Sequence, residues 1–193
     1  MQVRRVVTAT AEDGTSYFML DGPAGAVSNQ MGRGLTFHEL WVTEGPLASN
    51  LGSEDAAVRP VEHHPPPGGS LLRIVEFLPD EMQDLSRANE DFAAIGGSGL
   101  RVENAADASM HRNDTVDYNI ILSGEIYAKT DAGERLLRPG DVLIQRGTSH
   151  TWHNRSAVPC VYASVMVSAE PVLGSGSAPR PVSGSGAEQD SAS

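Results

Sequence analysis

The second half of the chain is a succession of short apolar segments, each closed by a turn. DYNIILSGEIYAKTD, ERLLRPGDVLIQRG, SHTWHNRS and PCVYASVMVSA lie between Asp117 and Ala169. Segments this short, rich in Ile, Val, Leu and Tyr and stopped by Ser-Gly, Pro-Gly or Asn, predict strands rather than helices. Their close spacing leaves no room for crossover helices, so the expectation is antiparallel sheet folded into a sandwich or barrel. The 20 Gly and 12 Pro residues agree with a turn-rich chain.

The first half carries the same signals more loosely. VRRVVTAT, TSYFML and LTFHELWVT read as strands separated by the turn clusters EDG, DGPAGA and EGPLASN. VRPVEHHPPPGG is Pro-rich and should run extended until SLLRIVEFLP begins another strand. Between Asp80 and Ile95, Met82, Leu85, Phe92 and Ile95 fall near helical spacing behind an acidic start, which predicts one short helix. The expected organisation is therefore N-terminal strands and a helix over residues 1–98, a core over 99–171, and a Gly/Ser/Pro-rich flexible tail over 172–193.

At 193 residues the length suits one domain, and 14 Lys+Arg against 25 Asp+Glu leave a formal charge of -11. That balance repels phosphate backbones and anionic lipid, so neither nucleic acid nor a membrane is an expected partner. Cys160 is the single cysteine, which rules out an internal disulfide and a thiolate zinc cage and fits a reducing compartment. No apolar run has membrane-spanning length, and the expectation is a soluble cytoplasmic chain.

Two of the six histidines stand in patterned surroundings. His111 opens HRNDTVDYNIILSG, with Asp117 and Gly124 downstream, and His150 follows the Pro-Gly-Asp turn in PGDVLIQRGTSHTWHN, with Asn154 after it. From Ser109 to Val161 these motifs resemble those of the cupin superfamily. His111 falls on the first histidine of the first motif, Asn113 on the second histidine position, Asp117 on the acid and Gly124 on the closing glycine. In the second motif Gly140, Gly147, His150 and Asn154 take the glycine, histidine and asparagine positions. Asn113 replaces a histidine, Asp117 a glutamate, and Gln145 and Arg146 stand where a proline is expected. The resemblance implies an all-β, double-stranded β-helix of the jelly-roll type with added N-terminal strands, whose two motifs direct His111, Asn113, Asp117 and His150 toward one divalent metal ion (Fe, Zn, Mn or Ni).

Strand alternation supports the same grouping on physical grounds. Positions two apart share a face, so His111 and Asn113 can point together, as can Asp117, Asn119 and Ile121, and likewise His150, Trp152 and Asn154. Two imidazoles and a carboxylate form a set that holds a divalent ion with positions left open. Asn119, Ile121, Trp152 and Asn154 are then expected to line a substrate pocket. Tyr118 and Gln145 are candidate proton donors near its mouth. Arg73 shares a face with Leu71, Val75 and Phe77 and needs an anionic partner, from the protein or a substrate carboxylate. Tyr127 and Arg112 are further hydrogen-bonding candidates. By the same alternation His153 is expected on the outer surface; His63 and His64, before three prolines, are expected in a solvated loop, with a second metal site as the alternative, while His38 could line the barrel or a subunit contact.

Neither a nucleophile elbow nor a phosphate loop occurs, and GGSGL at Gly96 to Leu100 lacks dinucleotide spacing. The site therefore suggests a metal-dependent lyase, a dehydratase or decarboxylase, acting on a small oxygenated acid, and the cupin resemblance implies a polyketide-like metabolite. An Fe(II) dioxygenase and a non-catalytic small-molecule-binding protein are the alternatives. Because strand edges and Phe18, Phe37 and Trp41 need covering, a homodimer is expected.

Overall fold

The computed structural model describes residues 1–29, 34–84, 86, 88–97, 100, 102, 105, 107 and 109–172, without the side chains of 88, 89 and 92. Leu85, the side chain of Phe92 and the tail from 173 onward, on which sequence expectations rested, lie outside the described residues. The strands are β1 (Arg4–Thr10), β2 (Ser16–Pro23), β3 (Ala26–Ser28), β4 (Leu35–Thr43), β5 (Ser70–Phe77), β6 (Thr115–Ser123), β7 (Ile126–Thr130), β8 (Gly133–Leu137), β9 (Val142–Arg146), β10 (His150–His153) and β11 (Cys160–Ser168). The short helix expected between Asp80 and Ile95 is α1 (Ala88–Ala94), preceded by a 3-10 turn at Asp80–Met82; Met82 is exposed while Ile95 is buried.

Among the described residues no helix is long and apolar enough to cross a membrane. Every strand pairing is antiparallel. A six-stranded sheet runs in the order β3-β4-β5-β11-β6-β9, a three-stranded sheet in the order β10-β7-β8, and β1 and β2 form a separate hairpin. The early strands β3 to β5 thus share a sheet with β6, β9 and β11 from the motif region.

The chain passes between the two main sheets at turns that the sequence marks. Gly124, φ 70°, carries it from β6 to β7. A side chain there would also collide with the Pro159 carbonyl, since a Cβ would lie 2.4 Å from its oxygen. The Pro139-Gly140 turn returns the chain from β8 to β9, Gly147 sends it on to β10, and the Asn154 turn brings it back to β11. Strands that alternate between two facing sheets make a jelly-roll barrel.

Register places the inner face of the large sheet. Asp117 lies opposite Met166, Asn119 opposite Ser164, and Ser164 opposite Arg73. A bulge between Glu39 and Trp41 in β4 allows Glu39 and Val42 both to be buried. The apolar core is therefore in two parts. Phe37, Val75, Phe77, Ile95, Ile121, Ile126, Cys160 and Tyr162 pack in one cluster, and Val42, Leu71 and Met166 in a smaller one. The inner-face positions Glu39, Arg73, Asp117, Asn119 and Ser164 are polar and buried. A polar belt inside a barrel is costly unless its groups are paired or used.

Candidate functional site

A cavity of about 210 Å³ opens onto that belt. His111, Asn113, Asp117, Asn119, Gln145 and Arg73 contribute to its wall, with Trp152 beside them. Trp152 is held flat against Tyr162, ring centroids 5.3 Å apart at 19°.

Two histidines are brought together by a small backbone device. His111 and His150 form a bridge, each N–H donating to the other's carbonyl at 2.9 Å, and their rings stand 4.2 Å apart. In each, Nδ1 meets the backbone carbonyl two residues earlier: Ser109 at 2.9 Å for His111 and Thr148 at 2.8 Å for His150. A carbonyl can only accept, so Nδ1 carries the hydrogen and Nε2 presents a lone pair. Burial, then the neighbouring His111, push the His150 imidazole down to about 3. It stays neutral at ordinary pH.

Gln145 connects this pair to the carboxylate. Its Nε2 donates to His150 Nε2 at 2.9 Å and to Asp117 Oδ2 at 3.2 Å. Burial pushes the Asp117 carboxyl up to about 6, against the opposing effects of Thr115, Asn113, Gln145 and Arg73. Asp117 Oδ1 and Asn113 Oδ1 are buried acceptors with no hydrogen-bond donor. Lone pairs on His111 and His150 with these two orphaned oxygens make an acceptor-rich cluster that a divalent cation would satisfy. As placed, no three His, Cys, Asp or Glu side chains among the described residues share a single ion position. Gln145 stands between Asp117 and His150.

Arg73, 3 % exposed, pairs with the equally buried Glu39 at 3.0 Å and donates to the Glu62 carbonyl. It also lies over the Phe37 ring at 4.6 Å. Burial lowers the Arg73 pKa and raises that of Glu39, each opposed by the other's charge. A protein partner therefore meets its charge, while Nε remains a buried donor without an acceptor.

The other sequence candidates divide. Asn119 and Trp152 are at the cavity, whereas Ile121 is packed in the main apolar cluster. Asn154, fully buried, serves the β10–β11 turn: Nδ2 donates to the Phe77 and Val158 carbonyls, and Oδ1 accepts from Ser156 N and Oγ. Tyr118 is 42 % exposed on the opposite face of β6 from Asp117, away from the cavity. Strand alternation dictates this, because adjacent residues cannot share a face. Tyr127 stacks under Arg155 at 4.4 Å.

Three histidine expectations change. His63 is not solvated; it is buried at the cavity wall, its ring 5.6 Å from His111, and burial holds its pKa well below the usual value. His64 is partly buried beside it, ring centroids 5.1 Å apart. The chain bends at His63 and His64, and nothing in the local pattern marks which imidazole turns inward. His153 is not a free surface group: Nε2 lies 2.8 Å from Asp107 Oδ2 and Nδ1 3.2 Å from Asp80 Oδ2, beside the cavity. His38 is buried outside the cavity, 3.9 Å from Glu76.

Two facing antiparallel sheets with motif histidines at the strand corners define the class, and the chain belongs to the cupin superfamily. It is similar to the oryzines biosynthesis cluster protein J of Aspergillus oryzae, 30% identical over 184 residues that cover 91% of this chain and 88% of that one. The phomopsin biosynthesis cluster protein C' of Diaporthe leptostromiformis is 33% identical over 158 residues, 79% of this chain and 70% of its own length. A cupin-domain-containing oxidoreductase of Neurospora crassa, srdD, is 28% identical over 161 residues, covering 79% and 67%. No family model matches the chain.

Proposed function

We propose that this cupin is a metal-dependent lyase of secondary metabolism that eliminates water or carbon dioxide from a small oxygenated acid or polyketide-like metabolite. In the first case the proton and hydroxide leave together as water, and in the second a proton replaces the lost carboxylate. The observation that carries this reading is the Asp117–Gln145–His150 chain beside an acceptor-rich cavity. His111 and His150, with Asn113 and Asp117, would hold the divalent ion. When bound, that ion would polarise a substrate carbonyl as a Lewis acid. Asp117 would ligate as a carboxylate through Oδ1, with Gln145 fixing its other oxygen. Arg73 Nε offers a donor to an anionic oxygen of the substrate. Phe37, Trp152 and Tyr162 keep the cavity apolar around these groups.

A second reading, an iron-dependent dioxygenase, draws support from relatives named as oxidoreductases in their own descriptions. Metal content of the protein purified without chelator, compared with His111→Ala and His150→Ala, tests the ion. The expected result is about one ion per chain in the wild type, lost in both variants. Turnover of candidate hydroxy and keto acids under air and under nitrogen separates the chemistries. Equal rates favour the lyase, and loss under nitrogen favours the dioxygenase. Absence of bound metal even after reconstitution refutes both and leaves a binding protein.

A further inference from the structure

A second space lies on the far side of Gln145, and the described function uses only its inner border, Gln145 and His150. We propose that it binds an organic anion with an apolar body, such as an alkyl carboxylate. The groove holds about 550 Å³ between the β7–β8 hairpin and β9. Its apolar wall comes from Ala128, Leu143 and Ile144, and its inner end is closed by Gln145 and His150.

The charge of the groove opposes that of the molecule. Arg135 pairs across from Ala128, which pairs across from Trp152, so Arg135 is on the inward face of the small sheet. Its Nη1 donates to the Glu134 carbonyl at 2.8 Å, and it forms no ion pair among the described residues. Arg146, on β9, forms none either, and no Asp or Glu lines the groove. Lys129 also borders it but is already paired with Asp107 at 3.2 Å. In a chain of net charge -11, where exposed Arg4 and Arg155 both have carboxylate partners, two uncommitted guanidiniums beside an apolar wall form a distinct arrangement. Alternation on β9 puts Leu143 on the face of Gln145 and Arg146 on the other, so the carboxylate would sit at the groove's rim, where Arg135 and Arg146 both border it, with its hydrocarbon part over Leu143 and Ala128. Gln145 is already bonded to Asp117 and His150, so it separates this groove from the cavity on its other side.

The test is titration calorimetry with octanoate, using octanol as the uncharged control, at low salt. Octanoate is expected to bind saturably and octanol much more weakly. Arg135→Gln and Arg146→Gln should each weaken octanoate about tenfold, the scale of one charge-assisted hydrogen bond, and leave octanol unchanged. Arg138→Gln, at an exposed arginine outside the groove, removes the same charge and should leave octanoate binding intact. All three arginines are exposed, and unchanged thermal melts confirm that the variants fold. Failure to bind octanoate, equal binding of the alcohol, or a loss in Arg138→Gln as large as in Arg135→Gln overturns the proposal. Metal content and turnover play no part in this readout, so its failure is distinct from failure of the enzymatic reading.

Discussion

Asp117→Asn in the metal-free protein should raise stability, and the gain should depend on pH. Burial lifts the Asp117 carboxyl from 3.8 to about 6 in the folded state. Between those values the folded chain holds a proton that the unfolded chain releases, so this group favours folding fully below the unfolded pKa. The advantage is lost as pH rises through the folded pKa. Above it, wild-type protein carries an ionised, buried carboxylate, at a penalty of about 3 kcal/mol for a shift of this size. Asparagine keeps an oxygen to accept from Gln145 and has no charge to desolvate. The variant should therefore gain about 3 kcal/mol over wild type at pH 7.5, and only about 1 kcal/mol at pH 4.5. Urea unfolding followed by tryptophan fluorescence, with chelator present, measures both. An equal gain at the two pH values, or none at pH 7.5, refutes the assignment of the shift to burial.

Glu39→Gln should cost about 3–5 kcal/mol by stranding the buried Arg73 charge, and Glu39→Leu with Arg73→Met should recover most of it; urea midpoints that barely move in the single variant would contradict the pairing. Asn154→Ala removes the bonds that tie the β10–β11 turn to Phe77, Ser156 and Val158, at a cost of about 2–3 kcal/mol in thermal or urea unfolding with an unchanged m-value. Burial pushes the Cys160 thiol up to about 12, so it should be silent to a disulfide reagent at pH 8 in the native protein and react at once in urea. Rapid native labelling would show that this strand opens far more often than its packing implies.

Much of this architecture is legible in one dimension because turns and alternation are local. The strands of the second half, the sheet-switching glycine at Gly124 and the shared face of Asp117 and Asn119 follow from short-range sterics and the two-residue period. The same period also puts Tyr118 outside once Asp117 is inside, so that position could be read from the chain. The short helix expected between 80 and 95 is there as α1, because its acidic start and helical spacing are also local signals.

Closure of the barrel decides the remainder. Arg73 meets Glu39 only because β4 and β5 are neighbours with a bulge between their registers. His63 reaches His111, and His153 reaches Asp80 and Asp107, across long sequence separations that no local pattern encodes. Gln145 comes between Asp117 and His150 because β9 pairs with β6 while β10 belongs to the facing sheet. The chain by itself determined its strands, its corners and which residues alternate together. The tertiary structure alone decided which polar groups become partners, since burying them is tolerable only where distant strands supply the matching donor, acceptor or charge.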